Sequence, residues 1–115
     1  MPKQKFDKLP KRFKEKFVAA LRSGKYRKCT GELYNPEKNT YCILGVAGAV
    51  AQVSKKKLKD NGDLEFTTYR YGKNNKVPKT LRGEGENPVD QYLMGQNDNN
   101  VWSFRKAADW IEKNL

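Results

Sequence analysis

The chain has 115 residues, a length typical of one domain and too short for two separate hydrophobic cores. Its 24 lysines and arginines outnumber its 13 aspartates and glutamates, so the formal net charge is +11. Histidine is missing and there are two cysteines, which excludes a usual four-ligand zinc site within one chain. We expect a small basic domain that attracts negatively charged partners.

The charge is unevenly distributed along the chain. Residues 1–28 carry eleven basic and two acidic side chains, and residues 55–82 carry nine and three. Residues 83–115 reverse the balance, with three basic and six acidic side chains. This asymmetry indicates a basic face opposite a mildly acidic end, as in anion-binding proteins. The alternative that remains open is that the charge serves solubility alone.

The most apolar run, residues 41–53, is far shorter than the ~20 residues that span a bilayer, so the sequence predicts no transmembrane segment. The amino-terminal residues do not resemble a signal peptide. We therefore expect a cytoplasmic location, where Cys29 and Cys42 stay as reduced thiols, and one disulfide between them is the alternative.

The first predicted elements are a basic arm and an amphipathic helix. Residues 1–9 are rich in lysine and are expected to form a mobile or loosely docked arm. Phe13 and Phe17 recur at helical spacing within residues 10–23, and Gly24 is typical of a helix end. The sequence predicts a helix over residues 10–23 with a basic outer face, as the start of a globular domain over residues 10–115.

A second helix is predicted over residues 42–58, after a loop or small hairpin in residues 25–40. Apolar residues recur through this second segment at helical spacing. Gly45 and Gly48 each lower helix propensity by about 1 kcal/mol relative to alanine. We expect them to mark a close approach by a neighbouring element.

The last predicted elements are one strand and one helix. Residues 64–71 alternate and are rich in aromatic and β-branched types, which predicts a strand. Ser103 is a suitable cap for a helix over residues 103–114. The expected fold class is α+β, with three helices and a small antiparallel sheet in a single compact domain.

Three stretches of the chain are recognisable when they are read together. They are Ser-Gly-Lys-Tyr at residues 23–26, Tyr-Cys-Ile-Leu-Gly-Val at residues 41–46, and Asn97-Asp98 followed by the Ser-Phe and Ala-Ala-Asp-Trp-Ile-Glu segments of residues 103–112. They resemble a set of small uncharacterised phage and prophage proteins. The resemblance implies a phage origin, a shared fold and a place in the cytoplasm of an infected bacterium. The chain differs in having Ile43 where a second cysteine is usual and Gln96 where leucine precedes Asn-Asp.

Clusters of basic residues are the strongest functional signal. The candidate anion-binding residues are Lys11, Arg12, Lys14 and Lys16 on the first helix, Lys55, Lys56, Lys57 and Lys59 after the second, and Tyr69, Arg70, Tyr71, Lys73 and Lys76 around the strand. Tyrosines beside arginine suit stacking on bases as well as phosphate contact. Because lysine dominates over arginine, we expect salt-sensitive binding of nucleic acid with little sequence specificity. A solvated lysine-rich surface is the alternative interpretation.

Catalysis has little support in this sequence. Cys42 is interpreted as a packing residue rather than a nucleophile, because no histidine is available as its base. The acidic residues of loop 82–89 and Asp90 are interpreted as solvated rather than as a cation site, so no metal or cofactor is expected. Residues 97–100 lack the spacing of a calcium loop and are expected to bond to the backbone and order the turn before the last helix.

Three function classes follow from these observations. The first is a non-enzymatic accessory protein that binds nucleic acid or another polyanion. The second is an inhibitor that binds a host protein or sequesters a nucleotide messenger, which would need a concave pocket with a few arginine, tyrosine and asparagine side chains. The third is a small enzyme, which would need converging carboxylates or a cysteine with a perturbed titration.

Overall fold

The computed structural model describes residues 5–64 and 77–115 of the chain. Five α-helices and three two-residue strands lie in these ranges, and they pack into one domain with a radius of gyration of 13.0 Å. The elements are α1 (Lys11–Arg22), β1 (Arg27–Lys28), β2 (Tyr34–Asn35), β3 (Thr40–Tyr41), α2 (Ile43–Val50), α3 (Lys55–Asp60), α4 (Asp90–Asp98) and α5 (Phe104–Asn114), with a 3₁₀ turn at Lys79–Leu81. The α+β class is confirmed, but the expected number of helices was too low.

Helices α1 and α5 pack against each other and confirm two of the predicted helices. Phe13 and Phe17 lie on the buried face of α1, and Ile111 lies on that of α5. The side chain of Ser103 accepts a hydrogen bond from the N–H of Lys106 and so caps α5, as predicted. The apolar stripes identified in the sequence are therefore the surfaces that join the two helices.

The prediction of one helix over residues 42–58 was wrong, because α2 ends at Val50 and α3 begins at Lys55. Gln52 has a φ of 65°, in the left-handed region. Its N–H donates to the carbonyl of Ala49, and the N–H of Val53 donates to the carbonyl of Gly48. These two bonds form a Schellman motif, in which the left-handed position is usually glycine. Because glutamine stands there instead, the sequence carried no glycine to mark the helix end.

The sheet is mixed rather than antiparallel in the described residues. Its strand order is β1-β3-β2, with β1 parallel and β2 antiparallel to β3. Of the loop or small hairpin expected in residues 25–40, the antiparallel β2–β3 pair confirms the hairpin. Of the strand predicted over residues 64–71, only Leu64 lies within the described residues, where it is buried.

Helix α4 was not anticipated. Its sequence contains Gly95 and Asn97, both poor helix formers, and it lacks a strong apolar stripe. Leu93 and Asn97 are nevertheless fully buried, and the helix packs against α2. Tertiary contacts therefore outweigh the weak local preference.

Helix α2 runs through the centre of the core. Gly45 faces the backbone of Leu33, where a Cβ atom would overlap the carbonyl oxygen. A Cβ on Gly48 would lie 2.6 Å from a methyl carbon of Leu58. The expected close approach at both glycines is confirmed, by backbone in the first case and by a side chain in the second.

Aromatic rings connect the amino-terminal segment to the carboxyl-terminal half. The ring of Phe6 lies 5.1 Å from that of Tyr92 and 5.8 Å from that of Trp110, and Leu9 is buried. Trp110 also lies 5.2 Å from Trp102. The domain is therefore closed on this side by an aromatic cluster. Within residues 5–64 and 77–115, no helix has the length and apolarity to cross a bilayer.

Candidate functional site

The basic residues predicted on α1 lie on its outer surface. Lys11, Arg12 and Lys16 are exposed, and Lys14 is partly exposed. The helix turns its phenylalanines into the core, so the polar positions between them point to solvent. The structure thus places all four predicted residues where a large partner can reach them.

Helix α3 presents a second set of cations. Lys55, Lys56, Lys57 and Lys59 are all exposed, and Leu58 is the buried anchor of the helix. The side chain of Ser54 caps the helix by accepting from the N–H of Lys57 at 3.3 Å. The amino group of Lys55 lies 5.7 Å from the ring centre of Tyr34, within reach of a cation–π contact. Four lysines are therefore concentrated on a six-residue helix.

A cleft of about 330 Å³ lies between α1 and the end of α2, and we call it the α1–α2 cleft. Arg12 and Lys16 supply its positive charge, and no acidic side chain is among the described residues that line it. The described residues that line it are Pro10, Arg12, Phe13, Lys16, Val50, Ala51 and Gln52. From Gln52 the chain runs through Val53 and Ser54 directly into the α3 lysines. The first α3 lysine is therefore close in the chain to one wall of the cleft.

A second cleft, of about 550 Å³, lies between α1 and α5 and has mixed charge. Lys11, Lys14 and Arg22 line it together with Glu15 and Glu112. The guanidinium of Arg22 is 3.0 Å from the carboxylate of Glu112, and this contact lowers the pKa of that carboxyl. Because its arginine is already paired and two carboxylates are present, this cleft is less suited to an anion.

The remaining candidates, Tyr69, Arg70, Tyr71, Lys73 and Lys76, lie outside the described residues. Their role in anion binding stays a prediction.

Gln52 is the cleft residue that sequence reasoning missed. It is exposed and held at a φ of 65°, a conformation that side-chain-bearing residues rarely adopt. Among the hydrogen bonds of the described residues, its side chain makes none. The one local signal was Ser54, which is a suitable cap for a new helix and so marked a break just before it.

Burial makes Cys42 a poor nucleophile. The residue is buried in the core, and its sulfur accepts a hydrogen bond from the N–H of Gly45 at 3.2 Å. Burial raises the pKa of the Cys42 thiol to about 12, and burial also raises the pKa of the less enclosed Cys29 thiol. The interpretation of Cys42 as a packing residue is confirmed, and it caps α2 as well.

The Asn97-Asp98 pair has a structural role. The buried amide of Asn97 accepts from the N–H of Ile43 and donates to the carbonyl of Cys29, at 3.1 and 3.0 Å. Asp98 accepts from the N–H of Gly31 at 3.0 Å. Side-chain to backbone bonding is confirmed, but the partners are distant in sequence rather than in the turn before α5. No group of three potential metal ligands occurs in the described part of the chain.

Comparison with known proteins gives one family. The model of a family described as a domain of unknown function (DUF8296) matches residues 9–86, which include both walls of the α1–α2 cleft and all of α3. No curated protein and no solved structure gives a significant match. Because the family match spans more than half of the chain, the protein belongs to this family of unknown function, DUF8296.

Proposed function

We propose that this protein is a phage-type accessory protein that binds nucleic acid without catalysing a reaction. The observation that carries the proposal is the α1–α2 cleft, which has two cations and no described acidic lining residue, and whose wall at Gln52 is followed in the chain by the four exposed lysines of α3. A surface of this kind gains affinity by displacing counterions from a phosphate backbone. The net charge of +11 would add attraction at long range.

Several features favour a polyanion over a neutral partner. Leu58 is the one buried side chain of α3, and the other five residues of the helix, four lysines and Asp60, are exposed. Lysine ammonium groups contact phosphate as point charges and do not read base edges in a fixed geometry. The proposed binding is therefore strong at low salt and weakly dependent on base sequence.

The phage origin and the cytoplasmic location rest on the resemblance of the sequence motifs. Two of the motif stretches contact each other, because Asn97 bonds to the N–H of Ile43. Two of the three stretches that carry the resemblance are thus joined in the fold. The basic surface lies elsewhere and supports the binding function independently.

The test measures binding of a fluorescent oligonucleotide by anisotropy over a series of salt concentrations. The variant K55Q/K56Q/K57Q/K59Q should bind more weakly than the wild type. The slope of log affinity against log salt should fall by about 0.7 for each phosphate of a single strand that the variant no longer neutralises. The matched control K25Q/K79Q/K106Q/K113Q removes the same charge from exposed positions outside α1 and α3.

If the two variants lose affinity equally, net charge alone explains binding and the proposed surface is wrong. If the wild type fails to bind any oligonucleotide at low salt, the proposed function itself is wrong.

A second candidate function is the sequestration of a small nucleotide, and the concave shape of the α1–α2 cleft favours it. Its volume falls at the lower end of the range of about 300–1,000 Å³ that is typical of small-ligand sites. Absorbance at 260 and 280 nm and mass spectrometry of protein purified in low salt separate the two candidates. A discrete nucleotide released on denaturation supports sequestration, and polynucleotide that is removed by high salt supports nucleic-acid binding.

A further inference from the structure

The α1–α2 cleft combines three kinds of chemistry. Pro10, Phe13, Val50 and Ala51 provide apolar surface, and Arg12 and Lys16 provide positive charge. Gln52 provides an amide that can both donate and accept hydrogen bonds. A nucleotide has three complementary parts: the apolar face of its base, the polar edge of its base, and its anionic phosphate.

The backbone at Gln52 supports a role for its side chain. A left-handed residue at this position of a Schellman motif is usually glycine, or sometimes asparagine. The equivalent left-handed positions after α1 and α4 are Gly24 and Asn100, which follow this preference. Gln52 departs from it, and its amide makes no hydrogen bond with the described residues. Strain of this kind is concentrated at binding sites, where the side chain is needed for contact with a ligand.

We propose that the α1–α2 cleft takes one unpaired nucleotide of a single strand. In this proposal the base lies against the apolar wall with its edge on the Gln52 amide, and Arg12 and Lys16 hold the adjoining phosphate. The proposal rests on the nucleic-acid binding proposed above and adds that the protein prefers single strands. A duplex keeps its bases stacked and paired, so only its phosphates are available to this cleft.

The experiment compares three probes of equal length and label: a single-stranded DNA, its duplex, and a strand whose central nucleotides are abasic. All three carry phosphates, but only the first offers unpaired bases. We expect the single strand to bind about tenfold more tightly than the abasic strand and the duplex at the same salt concentration, which is the scale of one base contact. Competition by free mononucleotide shows whether the cleft binds a nucleotide within a strand or a free nucleotide.

The variant Q52G removes the amide and leaves a residue that suits the backbone. It should reduce the preference for the base-bearing strand over the abasic strand at least about threefold. Asn100→Gly is the matched control, because it makes a similar change at the left-handed position after α4 and should leave the preference unchanged. Melting curves of both variants establish that they are folded.

Equal binding of the base-bearing and abasic strands by the wild type would overturn the cleft proposal while leaving nucleic-acid binding intact. A preference that is the same in Q52G as in the wild type would overturn it as well. Tighter binding of the duplex than of the single strand would also overturn it. Failure of all three probes to bind would remove the proposed function, and the cleft proposal with it.

Discussion

The side-chain oxygen of Asn97 accepts a hydrogen bond from the backbone N–H of Ile43 at 3.1 Å, across 54 residues of sequence. Ile43 is the first residue of α2, so its N–H has no partner within the helix. The amide nitrogen of Asn97 donates to the carbonyl of Cys29 at 3.0 Å. One buried side chain on α4 therefore caps α2 and ties it to the segment after β1.

Replacing this side chain should destabilise the protein strongly. Asn97→Ala removes the partners of the buried N–H of Ile43 and of the partly buried carbonyl of Cys29. Leaving a buried group without a partner costs about 1–3 kcal/mol. We expect the free energy of unfolding to fall by about 3 kcal/mol, measured by urea denaturation. Asn97→Asp should also be destabilising, because it replaces the donor and buries a charge beside Asp98.

Asn99→Ala is the control for this prediction, since Asn99 is exposed at the end of the same helix. Its effect should stay within about 0.5 kcal/mol. Similar losses in the two alanine variants would mean that the bonds of Asn97 contribute little.

The periodic elements were accessible from the sequence. Helices α1 and α5 have regular apolar stripes, and Gly24 and Ser103 mark the end of α1 and the start of α5. The apolar periodicity and the helix boundary signals therefore predicted the same elements. The break after α2 lacked its usual glycine because Gln52 stands in the left-handed position. Helix α4 lacked both a stripe and good helix formers, and its burial depends on contacts with α2.

The candidate site was predictable only in part. The α1 and α3 lysines were identified because runs of charge can be read directly from the sequence. The shape of the α1–α2 cleft depends on where the chain turns after Val50, and the only local signal for that turn was the cap residue Ser54. Gln52 was missed for the same reason, since its place in the cleft follows from a backbone conformation.

Gly45 in α2 and Gly95 in α4 should respond oppositely to the same substitution. Gly45→Ala introduces a methyl group that overlaps the carbonyl of Leu33. We expect a loss of about 2–3 kcal/mol in the free energy of unfolding, despite the higher helix propensity of alanine. Gly95→Ala meets nothing within 4 Å and should gain about 0.5–1 kcal/mol.

Denaturant titration of the two glycine variants measures both effects. A neutral Gly45→Ala would show that the loop at Leu33 yields freely, and a destabilised Gly95→Ala would show that α4 is packed more tightly there than the structure indicates.

Gln52→Gly should stabilise the folded protein. A residue with a side chain disfavours the left-handed region by about 1–2 kcal/mol, and glycine loses part of that advantage through the entropy of the unfolded chain. We expect a net gain of about 0.5–1 kcal/mol in the free energy of unfolding, seen as a higher melting temperature. Asn100→Gly should gain less, because asparagine tolerates this conformation and its side chain accepts from Lys28 at 2.6 Å. A destabilised Gln52→Gly would show that the glutamine side chain supports the fold.

The buried thiol of Cys42 should make stability fall at alkaline pH. Its pKa is raised to about 12 in the folded state, whereas an exposed thiol titrates near 8.5. Above that pH the unfolded chain loses the proton and the folded protein keeps it, so unfolding becomes more favourable as pH rises toward 12. Between pH 7 and pH 10 the wild type should lose about 2 kcal/mol more than Cys42→Ala.

Chemical denaturation at several pH values measures this difference, and burial of Tyr41, which raises its pKa, affects both proteins and cancels. Cys29→Ala is the comparison variant. The thiol of Cys29 is less enclosed than that of Cys42. Cys29→Ala should therefore remove less of the pH dependence than Cys42→Ala does. Parallel pH profiles for the wild type and Cys42→Ala would mean that the thiol titrates normally in the folded protein, and that α2 opens at its amino-terminal end far more readily than the packing around Cys42 implies.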